Sequence, residues 1–422
     1  MTSLDREKFT STFQVHSLEL KNLPVCEIMP VLKKYLLKFK HWKSVEKSGN
    51  GLVVYLDPEK IETFDDFDEK DRIHLLKYVN RMEKRDLTLK YENWSADAIL
   101  RAILPDDVEV PTSYTKVGHI VHLNLRENQL PFKKLIGQVY LDHVPQTRVV
   151  VNKLNNIDTE FRFFSMEILA GENDTITTVK ENNCQFKFDF AKVYWNSRLA
   201  TEHERLIECM KKGDTLYDVF AGVGPFSIPA ARKGITVLAN DLNPESYRWL
   251  KENATANKVK NFNCFNQDGR IFLREHVKSH LLKRRHDNAD GFEHIAMNLP
   301  ALAIEFLDVF SDWMDQEEIK LVIKNPPLVH LYCFVRATKS DDPKIIAQEI
   351  VEEQLNIKFT SESLKMIQYV RNVAPNKEMM RVSFYLTEEI MSCKKSNEPP
   401  TKRPKIHNEF NNIVGQDGQQ KQ

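Results

Sequence analysis

Short apolar strands alternate with helices from about residue 196 to residue 392, and this alternation leaves few folds open. Strands are predicted at 215–220, 235–240, 262–266, 294–298 and 331–336, with 320–324 either a separate strand or part of the last one, and a closing pair around Tyr369 and 381–386. Helices are predicted at 225–232, 244–256, 301–314 and 343–355. Such an alternation is typical of a parallel sheet covered by helices. We therefore predict an α/β fold with a doubly wound, Rossmann-like sheet over residues 196–392.

Two smaller α+β domains are predicted before this sheet. Residues 1–110 combine predicted helices at 28–40 and 71–82 with a strand at 51–56, and they carry no motif that indicates chemistry. Residues 111–195 are rich in strand-forming residues and include a predicted helix at 132–140. Residues 393–422 are polar and are predicted to be a disordered tail. Their basic cluster, 402–405, fits either a solvated tail or a nuclear-import signal.

Charge and apolar patterning exclude several classes of protein. The chain has 60 Lys and Arg and 60 Asp and Glu, but a net charge of zero does not exclude nucleic-acid binding, because binding depends on where the charges lie. The tail holds six of the basic and three of the acidic residues, so the rest is slightly acidic. No apolar run approaches the roughly 18–20 residues of a membrane span, and residues 1–14 lack the apolar core expected of a secretory signal. Six scattered cysteines indicate reduced thiols without a zinc site or a disulfide framework.

The loop after the first predicted strand of the sheet carries two closely spaced glycines. It has the sequence Asp218-Val-Phe-Ala-Gly222-Val-Gly224-Pro225 and opens a predicted helix. A nucleotide-like ligand binds at this place in α/β sheets, and glycine lets the backbone approach it. Asp241 lies 23 residues after Asp218, at the end of the second strand, where a carboxylate contacts ribose hydroxyls in such folds.

The same loop does not have the pattern of a phosphate cradle. It lacks the third glycine of a dinucleotide fingerprint and the Lys-Ser/Thr of a P-loop. This predicts a ligand with ribose and adenine but without phosphate, which indicates S-adenosylmethionine. Asp268-Gly269, after the third strand, is then expected near the adenine, and Asn298-Leu299-Pro300, after the fourth, over the transferred methyl. The structural alternatives are a plain glycine turn with exposed aspartates, and a helix-entry turn at Pro300.

Two charged stretches also admit structural explanations. The junction before the sheet reads Tyr194-Trp-Asn-Ser-Arg-Leu-Ala-Thr-Glu202-His203. There Ser197 or Thr201 is expected to cap a helix, and Glu202 fits an ordinary acid of a first helical turn, which the helix dipole favours. The basic run 283–286 is predicted to lie in a solvated loop.

Together these motifs resemble the eukaryotic and archaeal tRNA (guanine-N1)-methyltransferases, which act on guanosine 37 beside the anticodon and have a class I methyltransferase fold. The resemblance covers about residues 111–390 and is carried by 192–205, 218–228, 240–244 and 298–300. It implies S-adenosylmethionine as cofactor, no metal, and tRNA as partner through its anticodon stem-loop and its elbow, with residues 1–110 at the elbow. We expect a monomer in the cytoplasm and nucleus, with a possible mitochondrial fraction, and no membrane contact.

The resemblance also implies a role for individual residues. Glu202 corresponds to the general base, Arg162 to the arginine that holds guanine O6, and Tyr194 to an active-site aromatic residue. Asn298 is expected at the reacting methyl. Cofactor contacts are expected at His203, Asp218, Gly222, Gly224, Asp241, Leu242, Asp268, Gly269, Asn298 and Pro300. One departure is Tyr-Trp-Asn-Ser-Arg at 194–198, where archaeal members often have Tyr-Phe-Ser-Pro-Arg, but the arginine is retained.

Three alternative functions differ in testable ways. The nearest is the tRNA enzyme of wybutosine synthesis that transfers the aminocarboxypropyl group of S-adenosylmethionine. The second is a non-catalytic tRNA-binding subunit with a vestigial cofactor domain. The third is a methyltransferase of protein or DNA amino groups, which usually carries Asn-Pro-Pro followed by an aromatic residue. The segment Asn325-Pro-Pro-Leu328 departs from that pattern and is predicted to be a loop.

Overall fold

A computed structural model describes residues 4–21, 25–49, 51–157, 164–338 and 340–392. The chain divides into two compact units. The first consists of Met1–Ile207, Gly222–Pro229 and Leu242–Val259, and the second of Glu208–Ala221, Ala230–Asp241 and Lys260–Gln422. The predicted domain boundaries at residues 110, 195 and 392 stay predictions, and the predicted tail lies outside the described residues.

The strands of the first unit form three sheets. They are β1 (Ser11–Leu20), β2 (Val45–Ser48), β3 (Gly51–Tyr55), β4 (Val79–Leu89), β5 (Thr115–Val117), β6 (Ile120–Leu123), β7 (Val149–Ile157), β8 (Phe164–Gly171), β9 (Ile176–Glu181) and β10 (Cys184–Asp189). The first sheet is antiparallel with the order β2-β3-β1-β4. The second has the order β5-β6-β7-β8, with β6 and β7 parallel. Strands β9 and β10 form an antiparallel hairpin.

The second unit is built on one seven-stranded sheet. Its strands are β11 (Thr215–Asp218), β12 (Thr236–Asn240), β13 (Phe262–Phe265), β14 (Glu293–Met297), β15 (Leu328–Arg336), β16 (Leu364–Ala374) and β17 (Lys377–Tyr385). The order is β13-β12-β11-β14-β15-β17-β16; the first five strands are parallel, and β17 is antiparallel to both of its neighbours. This order reverses direction at β11 and β14, which confirms the predicted doubly wound α/β fold.

Helices complete both units. They are α1 (Val25–Leu32), α2 (Glu69–Leu75), α3 (Ala96–Ile103), α4 (Lys133–His143), α5 (Ala200–Glu208), α6 (Ser227–Arg232), α7 (Pro244–Ala256), α8 (Gly269–Ile271), α9 (Lys278–His286), α10 (Gln316–Val322), α11 (Pro343–Leu355) and α12 (Glu388–Ser392). A π-helical segment, Phe272–Val277, joins α8 to α9, and 3₁₀ segments lie at Glu7–Phe9, Phe64–Asp66, Tyr91–Asn93, Glu127–Phe132, Ser197–Leu199 and Ala303–Val309. No helix within the described ranges has both the length and the apolarity that a bilayer crossing requires.

Helix bounds follow from local capping. Helices α7 and α11 begin where the sequence predicts them, because each has a proline in its first turn and a capping side chain before it. Asn243 Oδ1 accepts from the Glu245 amide at 3.0 Å, and Asp342 Oδ1 accepts from the Lys344 amide at 2.9 Å. Asn356, with a φ of +53°, ends α11 in the left-handed conformation.

Each unit has its own apolar core. The second unit buries side chains of β14, β15 and β17, such as Ile295, Val329 and Val382, in one large cluster. In the first unit, one cluster lies under the N-terminal sheet around Leu18, and another packs α3 and α4 around Ile136. These cores keep the strand ends in fixed places, which the candidate site requires.

Several predicted elements are wrong in type or extent. The segment 320–324 is not a strand: residues 320–322 end α10, and 323–324 form the turn after it. A capping box starts this helix, because the Glu318 amide donates to Asp315 Oδ1 and the Asp315 amide donates to Glu318 Oε2, both at 2.9 Å. The helix predicted at 301–314 is a 3₁₀ segment over Ala303–Val309. The helix predicted at 28–40 ends at Leu32, and 71–82 holds the end of α2 and the start of β4. The loop predicted at 325–328 is confirmed for 325–327, whereas Leu328 begins β15.

The basic run 283–286 is also not a solvated loop, because it forms the last turn of α9. Arg284 and Arg285 each hydrogen-bond the carboxylate of Glu293, whose side chain is fully buried, at 2.7–2.8 Å. Burial raises the pKa of Glu293, but hydrogen bonds from Arg285 and Arg284 outweigh it and lower the pKa below its usual value. Two of the four residues of this basic run therefore neutralise a buried carboxylate in the second unit.

Candidate active site

In the second unit, four polar residues follow four neighbouring parallel strands. Asp218 ends β11, Asp241 follows β12, Asp268 lies just beyond β13, and Asn298 follows β14. Because these strands are adjacent and parallel, the four positions lie at the carboxyl edge of one sheet, beside its topological switch point. This edge is where the sequence predicts a nucleotide-like ligand.

Asn240, which sequence reasoning did not single out, holds this edge together. Its Nδ2 donates to the carbonyls of Val219, at 3.1 Å, and Gln267, at 3.0 Å, and its Oδ1 accepts from the Gln267 amide at 3.0 Å. The side chain is buried. One amide therefore fixes the chain as it leaves three neighbouring strands. A polar residue at the end of an otherwise apolar strand was the sequence signal for it.

Gly269 lies in a place with little room for a side chain. A Cβ there would lie 3.0–3.1 Å from side-chain atoms of Val219, Phe220 and Phe306. The preceding Asp268 caps α8, since its Oδ1 accepts from the Arg270 amide at 2.8 Å. The carboxylate therefore has a structural role in addition to the predicted contact with adenine.

The Asn298 side chain supplies an observation that favours a ligand. Its Oδ1 is buried and has no hydrogen-bond partner in the part of the chain that the structure describes. A buried amide oxygen without a partner is costly, so such an atom marks a place that a polar group of a ligand would fill. The segment itself is fixed, because the Pro300 carbonyl accepts from the Phe334 amide at 3.1 Å.

In the first unit, α5 presents the predicted base. Glu202 lies in its first turn and is 3% exposed, and its Oε2 accepts from Arg205 at 2.7 Å. Arg205 is partly exposed, and sequence reasoning gave it no role. The 3₁₀ segment Ser197–Leu199 precedes this helix, and Asn196 caps that segment, since its Oδ1 accepts from the Arg198 amide at 3.2 Å. Of the two predicted caps, Thr201 lies inside α5 and Ser197 begins the 3₁₀ segment. The ion pair keeps the carboxylate of Glu202 in a defined position.

His203 is buried between two contacts. Its Nδ1 lies 2.6 Å from Oε1 of Glu181, the last residue of β9. Its ring packs edge-on against Phe226, with the centroids 4.6 Å apart. Since Phe226 follows the glycine loop, the contact brings His203 and that loop together, as the predicted cofactor contacts require. Sequence reasoning missed Glu181, which precedes the turn of the hairpin and matches no motif.

Tyr194 presents its ring to solvent on the first unit, with 51% of the residue exposed. Its hydroxyl accepts from Asn196 Nδ2 at 3.3 Å. The neighbouring Trp195 is buried and stacks on Phe188, with the centroids 4.9 Å apart. The aromatic pair is thus divided between a buried anchor and an exposed ring that is suited to stacking.

The two glycines of the loop have different constraints. Gly222 has a φ of +56°, and a Cβ there would meet no atom within 4 Å. Gly224 has a φ of +99°, and a Cβ there would lie 2.7–2.8 Å from Ile228 and Leu250. Both conformations favour glycine, and the second position also has no space. Leu242, a predicted cofactor contact, is 45% exposed.

The predicted site residues therefore fall into two sets. The second unit gathers Asp218, Asp241, Asp268, Gly269, Asn298 and Pro300 at its sheet edge, and the first unit holds Tyr194, Glu202, His203, Gly222, Gly224 and Leu242. Arg162 lies outside the described residues. The roles of all these residues stay predictions.

Comparison with known proteins agrees with this architecture. Residues 177–337 match the TRM5/TYW2 methyltransferase domain, and residues 96–175 match the TYW2 N-terminal domain. The tRNA (guanine(37)-N(1))-methyltransferase of Drosophila melanogaster is 44% identical over 96% of this chain and 89% of its own length. The enzyme of the same name from Mus musculus is 42% identical over 97% of this chain and 83% of its own.

Solved structures show the same fold. Wild-type Trm5b from Pyrococcus abyssi aligns with a TM-score of 0.58 and 24% identity over 88% of this chain and 99% of its own. The aTrm5 chain of a complex with tRNALeu aligns with a TM-score of 0.61, at the same identity and coverage.

The sheet order and the polar residues at its carboxyl edge define a class I methyltransferase. The identity of 42–44% along nearly the whole chain narrows this class to one family. The chain belongs to the tRNA (guanine(37)-N(1))-methyltransferase family.

Proposed function

We propose that this chain transfers the methyl group of S-adenosylmethionine to N1 of guanosine 37 in tRNA. The observation that carries the proposal is 44% identity, over 96% of the chain, to an enzyme named for that reaction. The buried carboxylate of Glu202 supports it, because methylation at N1 needs a base.

The residues at the sheet edge fit the cofactor. Asp241 would bind the ribose hydroxyls, and Asp268-Gly269 would contact the adenine. The buried Oδ1 of Asn298 offers an acceptor, and the Gly222–Gly224 loop permits close approach of the backbone. When bound, S-adenosylmethionine supplies a methyl group already activated by its sulfonium, and this chain needs to position the acceptor and take a proton.

Glu202 would take that proton. N1 of guanine carries a proton and its lone pair is conjugated, so N1 is a poor nucleophile until a base removes the proton. A positioned carboxylate contributes roughly 10²–10⁴-fold to such a step. Arg162 would stabilise the charge that develops on O6, as an oxyanion hole does. The exposed ring of Tyr194 would stack on the target base once the nucleotide is splayed out of the anticodon loop.

The proposal also covers the regions of tRNA that the chain contacts, its oligomeric state and its location in the cell. We propose contact with the anticodon stem-loop and with the tRNA elbow, the latter through residues 1–110, and action as a monomer. The basic cluster 402–405 supports a nuclear as well as a cytoplasmic pool, with a mitochondrial fraction also possible. Removing that cluster should shift a fluorescent fusion of the full chain towards the cytoplasm.

One experiment tests the activity and its main rival together. Unmodified tRNA transcripts with guanosine or adenosine at position 37 are incubated with labelled S-adenosylmethionine, and the nucleosides are analysed by mass. We expect one added methyl on the transcript with guanosine 37 and none on the other. The matched family model covers both TRM5 and TYW2 enzymes, so the added mass matters: an aminocarboxypropyl group would contradict the proposal. No product together with intact tRNA binding would favour a non-catalytic subunit.

A further inference from the structure

The C-terminal end of α7 pairs with strand β10 of the β9–β10 hairpin through two asparagine side chains, Asn253 in the helix and Asn257 at its C-cap. Asn253 Oδ1 accepts from the Lys187 amide at 2.8 Å, and its Nδ2 donates to the Lys187 carbonyl at 3.1 Å. Asn257 makes the same pair of bonds with Gln185, at 2.9 and 2.7 Å. Four residues of helix rise about 6 Å, and two residues of strand about 6.7 Å, so the two spacings match.

Asn253 has one contact that Asn257 lacks. Its Nδ2 also donates to the Val223 carbonyl at 3.2 Å. Val223 is the residue between Gly222 and Gly224, and both Val223 and Asn253 are buried. The extra bond of Asn257 goes instead to the Asn253 carbonyl, one turn back on the same helix. One amide group therefore joins the hairpin, the helix and the glycine loop.

The hydrogen bond to the Val223 carbonyl matters because the flanking glycines leave the loop backbone conformationally flexible. With a glycine on each side, the peptide group of Val223 has more conformations open to it than an ordinary loop would allow. A hydrogen bond to its carbonyl removes most of that freedom before a ligand arrives. Ordering a loop in advance lowers the cost of binding.

We propose that Asn253 is a positioning residue for the cofactor loop, which holds the Val223 carbonyl and so orders Gly222–Gly224 for S-adenosylmethionine. The inference rests on the proposed function, since it assigns this loop to the cofactor. Asn253 itself contacts no substrate in this role. Its removal should weaken cofactor binding and leave the chemical step and tRNA recognition unchanged.

The substitution Asn253→Asp distinguishes the positioning of the glycine loop from the pairing of α7 with the hairpin. Asn253→Asp keeps an oxygen for the Lys187 amide but loses the donor to the Val223 carbonyl, and Asn257→Asp makes the same change at the matched position without a loop contact. We expect Asn253→Asp to raise the Kd for S-adenosylhomocysteine and the KM for S-adenosylmethionine about tenfold, which is the usual size for a lost buried hydrogen bond. The kcat and the KM for tRNA should stay within about twofold, and Asn257→Asp should bind like the parent, within the same margin.

Binding is measured by calorimetry well below the Tm of each variant, and Asn253→Ser serves as a second variant if Asn253→Asp does not fold. Parent-like binding by the Asn253 variants would overturn the positioning role. Equal weakening by Asn257→Asp, with an equal loss of Tm, would also overturn it, because a general loss of stability would then explain both. A parent protein that binds no S-adenosylhomocysteine would instead refute the proposed function.

Discussion

His203 Nδ1 and Glu181 Oε1 lie 2.6 Å apart, and both side chains are almost fully buried. The bond ties the end of β9 to the helix that carries Glu202. The ring of His203 in turn packs on Phe226, just after the glycine loop. Within the first unit, the proposed base and the glycine loop are therefore positioned through the same hairpin.

Loss of the Glu181 carboxylate should destabilise the first unit. Glu181→Ala would leave the imidazole of His203 buried without its partner, at a cost of about 1–3 kcal/mol in the free energy of unfolding. Glu181→Gln keeps a hydrogen bond and should cost less. Urea denaturation measures both, with the exposed neighbour in Lys180→Ala as control. An unchanged unfolding curve for Glu181→Ala would show that the contact carries no stability.

Glu202→Gln should retain the fold and cofactor binding and lose most of the methylation rate. The amide keeps the shape of the side chain but does not accept the N1 proton, so the single-turnover rate should fall by roughly 10²–10⁴. Glu204→Gln, which changes an exposed acid on the same helix, is the matched control and should react like the parent. A parent-like rate for Glu202→Gln would exclude Glu202 as the base.

The two loop glycines should respond differently to alanine. Gly222→Ala should cost about 1–2 kcal/mol of stability, because its left-handed conformation penalises a Cβ but the space around it is open. Gly224→Ala should cost more, since its Cβ would also overlap Ile228 and Leu250. Thermal unfolding of the two variants side by side gives the comparison. Equal losses would contradict the close packing at Gly224.

Arg285 should contribute more to stability than Lys283, which belongs to the same basic run. Arg285→Ala removes one of the two arginines that hydrogen-bond the buried Glu293 carboxylate. Because Arg284 still donates to Oε1, the free energy of unfolding should fall by about 1.5–3 kcal/mol. Lys283→Ala, an exposed residue of the same run, should change the free energy of unfolding by no more than about 0.5 kcal/mol. Chemical denaturation of both variants tests this, and similar values would mean that the run is solvated after all.

Acid should weaken the second unit through a buried histidine pair. His294 Nδ1 and His330 Nε2 lie 3.0 Å apart, and His330 Nδ1 lies 2.9 Å from Ser383 Oγ. Burial lowers the pKa of His294 to about 4 and also lowers the pKa of His330. Between pH 6.5 and 4 these histidines therefore bind protons in the unfolded chain but not in the folded chain. The free energy of unfolding therefore decreases as the pH falls.

The expected slope is at most about 1.4 kcal/mol per pH unit for each histidine. Urea unfolding at pH 7, 6 and 5 measures it for the parent, for His294→Gln and for His286→Gln, whose side chain is exposed. The slope should become shallower in His294→Gln and stay unchanged in His286→Gln. Parallel slopes in all three proteins would mean that folding does not lower the pKa of His294.

The sequence was informative where signals are local. The strand-loop-helix pattern around Gly222 and the carboxylates after successive strands predict the sheet and the edge at which the candidate site residues lie, because each signal lies within a few residues. Residues 320–324 were assigned to a strand because a short apolar run suits either element, although Asp315 and Glu318 already formed a capping-box pattern.

The supports of the site were not predictable in the same way. Glu181 lies 22 residues from His203, and Asn253 lies 66 residues from Lys187, so each pair depends on how the whole unit folds. Arg285 looked like a solvated residue because nothing near it in the sequence marks Glu293 as its buried partner. The site residues predicted from the sequence therefore include side chains suited to the chemistry, but they omit most of the residues that position those side chains.

The two asparagines at the C-terminal end of α7 also protect the edge of the hairpin. An open strand edge exposes peptide groups that another chain can pair with, and natural proteins protect such edges. At Gln185 and Lys187, the side chains of Asn253 and Asn257 bond to the backbone groups that an added strand would use. The two asparagines thus cover the open edge of β10. Loss of their hydrogen bonds would expose backbone groups through which the strand could pair with another chain and aggregate.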